Sequence, residues 1–237
     1  MKGFSMTGGN KSPSAGYLFV WTNVDPIHEV DFNKWYDREH VEERVGISGF
    51  VSGIRYVALE GNRRYLGLYR TESLDVFGSE SYRQAFAHQT PWSVTNLGRM
   101  QNSMRRVCTV VAETGAGTGA FLAVLRLGRP AGPGDLDMLC HEARDLQTSD
   151  GIIATRVLLP DAGLSSPLPA EQTEGRILDP ILVVEATSEA AAARAAYRPK
   201  FGGVETAEPS VLRMMWQMTD KDLATARTTA PQSGGAR

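Results

Sequence analysis

One pair of residues, repeated at one spacing, constrains this chain more than any other feature. His40 precedes Arg55 by fifteen residues, and His141 precedes Arg156 by the same interval. Each histidine falls toward the end of a predicted helix, and each arginine in the middle of the strand that follows. The surrounding pattern repeats in the same order. Apolar and β-branched runs predict strands over residues 17–24, 50–59, 64–71 and 104–113. Between the first two, Phe32, Tyr36, His40 and Glu43 share one helical face. Gly61 and Asn62 mark a hairpin turn. Ser73 is a candidate cap for a second helix carrying Tyr82 and Phe86, and Pro91 is expected to end or kink it. A glycine-rich linker over residues 114–119 follows, and the order restarts. Strands are expected over 120–127, 151–159, 181–186 and 211–218, with helices over 134–148 and 188–197. Internal duplication accounts for both the element order and the paired residues.

A βαββαβ unit folds into a four-stranded antiparallel sheet with both helices on one face. Its bare face needs a cover. Two units in one chain can stack those faces or close edge to edge into a barrel, with an interior expected to hold a small ligand and one cavity expected per unit. The expected organisation is an N-terminal tail at 1–16, units at 17–113 and 120–219 joined by 114–119, and a C-terminal tail at 220–237. A closed monomer and a homodimer of fused units both remain open.

Composition removes several function classes. The net charge of -2 offers no basic field for nucleic acid or an anionic membrane. Cys108 and Cys140 have no metal-ligand spacing, and no apolar run has the length of a membrane span or signal core, so the expected location is cytoplasmic. The GGNKS stretch near the N-terminus lacks the spacing of a phosphate loop and no strand precedes it. Neither a dinucleotide fingerprint nor a nucleophile elbow is present.

His40 is the leading catalytic candidate, since its helix face points it toward packed structure or a cavity, where imidazole can accept and return a proton. The alternative is a histidine that interacts with the helix C-terminus. Tyr36 and Asp37 lie one turn earlier, Tyr36 as a further catalytic candidate and Asp37 as an orienting group. Arg55 offers a planar cation for a substrate carboxylate or oxyanion, or else a structural pair with Asp37, Glu39 or Glu43. His88, shortly before Pro91 and Trp92, suits a pocket lid, whereas His28 reads as solvated. Trp21, Tyr69 and Trp92 suit an aromatic ligand, although strand aromatics are also ordinary core. No metal site is expected, because Asp37, Glu39, His40 and Glu43 do not all face one way and no second ligand lies at metal spacing. The second-half pair, His141 and Arg156, reads as mainly structural.

The segment spanning residues 31–56 carries Trp35-Tyr36, Glu39-His40, Gly49-Phe50 and Arg55-Tyr56. In this pattern it resembles the dimeric α+β barrel superfamily, particularly its EthD-like members. The resemblance implies two fused ferredoxin-like units forming an intramolecular α+β barrel of antiparallel sheets. The second half keeps His141 and Arg156 but lacks the Trp-Tyr pair and the Phe. The superfamily includes cofactor-independent monooxygenases, muconolactone isomerases, lyases, polyketide cyclases and haem-degrading enzymes. The expected function is a cofactor-independent lyase or isomerase acting on a small aromatic or polyketide-like substrate. A cofactor-free monooxygenase and a non-catalytic small-molecule binding protein are the alternatives.

Overall fold

The computed structural model describes residues 14–198 and 206–229. In chain order the strands are β1 Gly16–Val24, β2 Phe50–Glu60, β3 Tyr65–Thr71, β4 Met100–Gly115, β5 Phe121–Arg126, β6 Ile152–Pro160, β7 Ile181–Ala186 and β8 Ala207–Thr219. They form one closed antiparallel barrel in the order β1-β3-β2-β8-β5-β7-β6-β4. Within each half the sequence of neighbours is the same: fourth strand, first, third, second. The seams between halves are β2 with β8 and β4 with β6. Edge-to-edge closure leaves no strand edge unpaired, which stacking of the two bare faces would not achieve.

The closure explains why β1 is apolar almost throughout. Tyr17, Phe19 and Trp21 point into the barrel, while Leu18 and Val20 point outward beneath helices. Both faces of the strand are therefore dry. The barrel interior is filled by side chains from both halves, including Phe19, Trp21, Tyr56, Leu66, Leu68, Met104 and Leu122. This corrects the expectation of a ligand-sized barrel interior, because eight strands enclose about the volume that large side chains fill.

The helices lie outside the barrel. In the first half, Asp25 caps a short 3-10 turn at Pro26–His28 by accepting from the Ile27 amide at 3.0 Å. The same rod continues as α1 Glu29–Trp35, a π turn at Tyr36–His40, and α2 Val41–Val45. The second predicted helix is two. Ser79 caps α3 Glu80–Ala87, and Thr90 caps α4 Pro91–Gly98. Pro91 thus opens a helix rather than closing one, since its missing N–H is harmless in a first turn.

In the second half, α5 Asp135–Gln147 and α6 Glu189–Ala196 cover the sheet. Ala191, Ala192, Ala195 and Ala196 are each 1% exposed or less. Their one-carbon side chains let α6 lie directly on the strands.

The last element, α7 Asp220–Thr229, occupies much of the region expected as a tail. Thr219 and Asp222 cap it reciprocally, at 2.9 and 3.1 Å, and Leu223 inserts into the first-half core. Gly16 already opens β1, and the expected N-terminal tail lies outside the described residues through position 13. β4 takes the first two residues of the expected linker. Among the described residues, no helix is long and apolar enough to cross a membrane.

Candidate active site

A small cavity lies between the first-half sheet and its helices. Its walls come from β1 (Leu18, Val20), the π turn and α2 (His40, Arg44), β3 and β4 (Tyr69, Arg105), and the α3–α4 segment (Phe86, Gln89, Leu97). Leu168 closes it from the 161–180 loop of the second half. Its volume is about 30 Å³, room for about one water-sized molecule. Phe86, Arg105 and Leu168 also line an outer, mostly apolar cleft of about 270 Å³, completed by Phe77, Tyr82, Pro167 and Pro169. Cavity and cleft are thus separated by single side chains.

The π turn decides what enters this space. At an ordinary α period, the face carrying Phe32, Tyr36 and His40 continues to Glu43. The wider turn rotates the face, so Arg44 becomes buried while Glu43 lies half-exposed beside Ser93. His40 is 8% exposed and packed among aromatic rings: Trp35 at 4.2 Å, Tyr36 at 5.1 Å and Tyr69 at 6.4 Å between centroids. Its Nδ1 is buried without a hydrogen-bond partner. Burial, reinforced by the positive charges of Arg44 and Arg55, holds its pKa well below the usual imidazole value. The ring is therefore held in its neutral form at physiological pH, with Nδ1 unpartnered.

The linkage has a definite sign. As pH falls below about 6.5, the unfolded chain protonates this histidine before the folded one does, so stability declines. Between pH 7 and pH 5.5, the melting temperature of the native chain is expected to fall further than that of a His40→Gln variant. Parallel declines in a thermal scan would contradict this.

Tyr69 sits in the cavity wall with its hydroxyl buried and unpartnered, and burial raises its pKa well above the phenol norm. Tyr36 is buried against the edge of His40. The other predicted residues lie elsewhere. Arg55 is 1% exposed, donates to Asp37 at 3.2 Å and Asn33 at 3.0 Å, and stacks over the Tyr36 ring at 4.0 Å. Its hydrogen-bonding fork is thus turned to the protein, in place of the expected contact with a substrate. Asp37 also accepts from the Trp216 indole at 2.8 Å, and so holds Arg55 and Trp216 rather than His40.

Trp21 faces the barrel interior, on the opposite side of the sheet from His40. Trp92 packs on the first-half core and donates to the Asp31 carboxylate at 3.2 Å, outside the cavity wall. His88 is exposed at the end of α3, and its neighbour Gln89 takes the cavity position. In the second half His141 is exposed, while Arg156 is held by Glu113 at 2.6 Å and Glu185 at 3.0 Å. Of the residues expected to form a metal cluster only if they converged, Glu39 bonds Thr90 and Ser93, Asp37 bonds Arg55, and His40 alone lines the cavity.

Two cavity residues escaped the sequence pattern, Arg44 and Arg105. Arg44 looked like an ordinary charge on a polar helix end. Arg105 carried a fainter signal, a basic doublet with Arg106 inside an apolar strand. Pairing of Val20 with Arg105 puts both on the outer sheet face, toward His40.

No protein-family model matches the chain, and no curated protein matches it. Solved structures do match in fold. An anthrone oxidase-like protein superposes with a TM-score of 0.62 at 12% identity, covering 89% of this chain and 94% of that one. A candidate monooxygenase from Fusobacterium nucleatum gives 0.58 at 7% identity, covering 87% and 95%. Another, from Lactobacillus acidophilus, gives 0.56 at 6% identity, covering 87% and 97%. The fold is a ferredoxin-like α+β barrel. At these identities the likeness concerns architecture alone, and the chemistry of the barrel has to be argued from its own cavity.

Proposed function

We propose that this chain is a cofactor-independent lyase or isomerase acting on a small aromatic or polyketide-like compound, with His40 as the proton-transfer base. We read it further as an EthD-like barrel of two fused units, in which the first half carries the chemistry. The observation that supports the enzyme reading most directly is a neutral histidine without a partner at Nδ1, facing a cavity beside an apolar cleft. A structural histidine this deeply buried would ordinarily be hydrogen-bonded.

The cavity is too small for a ring, so the aromatic body belongs in the cleft and a hydroxyl or acidic C–H projects toward His40. His40 removes that proton, and the electron pair left on oxygen or carbon drives expulsion of a small fragment or shifts a double bond. The proton then returns from the imidazolium to the product. Tyr69 and Gln89 lie in the same wall and can hydrogen-bond to the reacting oxygen. Exclusion of water strengthens each of these polar contacts.

A second reading is a cofactor-free monooxygenase. The size of the inner cavity favours it, since about 30 Å³ beside Leu18, Val20 and Leu97 accommodates a diatomic molecule. There a substrate carbanion formed by His40 would add dioxygen. The resulting hydroperoxide loses water, so one CH₂ and one O₂ become one carbonyl and one water. The fold shared with an anthrone oxidase-like protein suggests anthrone itself as a test compound.

The experiment is turnover of anthrone and of hydroxylated aromatic ketones and acids, in air and under anaerobic conditions, with an oxygen electrode. Conversion without oxygen uptake is expected. Uptake of one dioxygen per substrate, and no anaerobic conversion, would replace the lyase or isomerase reading with the oxygenase one. Binding without conversion in either atmosphere would overturn both in favour of a carrier.

A further inference from the structure

Two buried cations, Arg44 and Arg105, border the cavity without an ion-pair partner among the described residues. Arg44 is 3% exposed, its Nε is buried without a partner, and its side chain forms no ion pair or hydrogen bond among the described residues. Arg105 is 5% exposed, and its Nε is likewise unpartnered. Its guanidinium donates only to neutral groups: the carbonyls of Leu164 and Ser166, both at 2.9 Å, and the Tyr82 hydroxyl at 3.0 Å. The nearby carboxylates hydrogen-bond elsewhere, although Glu43 feels the Arg44 charge. Glu39 and Glu43 turn to Ser93, and Glu171 meets the Arg105 backbone amide but pairs with Arg106 and Arg176. Burying one such charge unpaired is costly, and burying two around one cavity is more so. Among the described residues every other buried arginine has an acidic partner: Arg55, Arg106, Arg126 and Arg156.

Both cations approach the ring of Phe86. Its ring centroid lies 5.4 Å from the Arg44 guanidinium carbon and 5.7 Å from that of Arg105, yet the residue is 42% exposed. It is the penultimate residue of α3 and lines both the inner cavity and the outer cleft. A half-exposed ring on the boundary of cavity and cleft, with two cations against it, marks where a ligand ring in the cleft can direct an anionic group toward the guanidiniums.

We propose that Arg44 and Arg105 form an anion clamp, gated by Phe86, for hydroxylated aromatic carboxylates. The carboxylate bridges the two guanidiniums, the ring occupies the apolar cleft, and the hydroxyl faces His40. This rests on the proton-transfer reading of His40 for the position of the hydroxyl, and on the arginines alone for the carboxylate. Charge also favours it. A neutral phenol leaves the two arginine charges uncompensated before and after proton transfer to His40, whereas a carboxylate offsets one of them throughout. The cleft is just below the usual range of about 300–1,000 Å³ for small-molecule sites, which suits one or two rings.

The test is calorimetric titration of the full chain with 2-hydroxybenzoate, 1-hydroxy-2-naphthoate and the neutral isostere 2-hydroxybenzamide. The acids are expected to bind about tenfold tighter than the amide or better, the worth of one charge-assisted hydrogen bond. Arg44→Met, which sacrifices no hydrogen bond, should abolish that preference and raise the melting temperature without ligand. Arg129→Met, a surface change at a pair with Asp135 in the second half, should keep the preference. Equal binding of acid and amide by the native chain, or an unchanged preference in Arg44→Met, would overturn the clamp. His40→Ala separates the two readings. If it keeps the preference while the native chain turns nothing over, the clamp stands and the base assignment fails. If neutral phenols are converted with no preference for acids, the clamp fails and the base assignment stands.

Discussion

Replacing His40 by alanine is expected to lower turnover by about 10²–10⁴-fold, the ordinary worth of a positioned general base. The fold should persist. His40 Nδ1 has no hydrogen-bond partner to orphan, and the surrounding rings keep contacts that do not involve it, Trp35 with Tyr36 and Tyr69 with Phe50. The loss should appear in kcat with little change in KM, because the aromatic body of the substrate rests in the outer cleft. A His40→Gln variant retains polarity and much of the volume and should be equally inactive, which separates basicity from packing. His141→Ala, at the exposed equivalent in the second half, should retain native activity. Near-native turnover by either His40 variant, with a native circular dichroism spectrum, would sink the assignment.

Replacing Glu171 by alanine is expected to cost about 3–5 kcal/mol of folding stability, typical of breaking a buried ion pair from one side. Glu171 accepts from Arg106 at 2.6 Å, Arg176 at 2.7 Å and the backbone amides of Arg105 and Leu168 at 3.0 and 3.3 Å. Burial alone would raise its pKa, but the hydrogen bonds from Arg106 and Arg176 outweigh it and hold the carboxyl below the usual value. Its removal leaves two largely buried guanidiniums without a counter-charge. It also removes the loop's acidic tie to β4, at the Arg105 amide and Arg106, and loosens Leu168 in the cavity wall. Urea unfolding should show the loss of stability. Hydrogen exchange in the native state should accelerate selectively across residues 161–180, and KM should rise more than kcat falls. A stability change below about 1 kcal/mol, within the range of surface pairs, would contradict the structural role. Unchanged exchange in the loop would do the same.

The long loop shows how the two halves depend on each other. As a linear segment it is a polar, proline-containing insertion between predicted strands, with nothing to mark it as part of a site. In the fold, Ser165 bonds the Val107 backbone at 2.9 and 3.1 Å, and the Leu164 and Ser166 carbonyls hold Arg105. A loop of the second half thereby closes the cavity of the first. The Ala-rich α6 lies flat on its own sheet, a different use of the same layer. This accounts for the asymmetry of the repeated pair: His40 faces a cavity, whereas His141 is exposed and Arg156 is neutralised by Glu113 and Glu185.

Much of the architecture is written in local signals. Strand alternation and helical spacing are recorded within stretches of a few residues, so the eight strands, the helix bearing His40 and its burial beside Tyr36 were legible without coordinates. Residue 181–186, for instance, is a strand by pattern and by structure. The errors fell where local signals have two outcomes. Pro91 can close a helix or open one, Arg55 can meet a substrate or a neighbouring carboxylate, and Trp21 can line either face of its sheet.

The sequence by itself thus determined the order of the strands, the α+β layering and the burial of His40 on its helix. Tertiary structure alone decided that the cavity beside His40 lies under the helices rather than inside the barrel, and that Arg44 and Arg105 border it. The physical reason is range. Those two arginines meet through a π turn that rotates a helix face and through a strand register joining residues far apart in the chain. A charge looks the same in a linear sequence whether its partner is water, a carboxylate or an empty cavity.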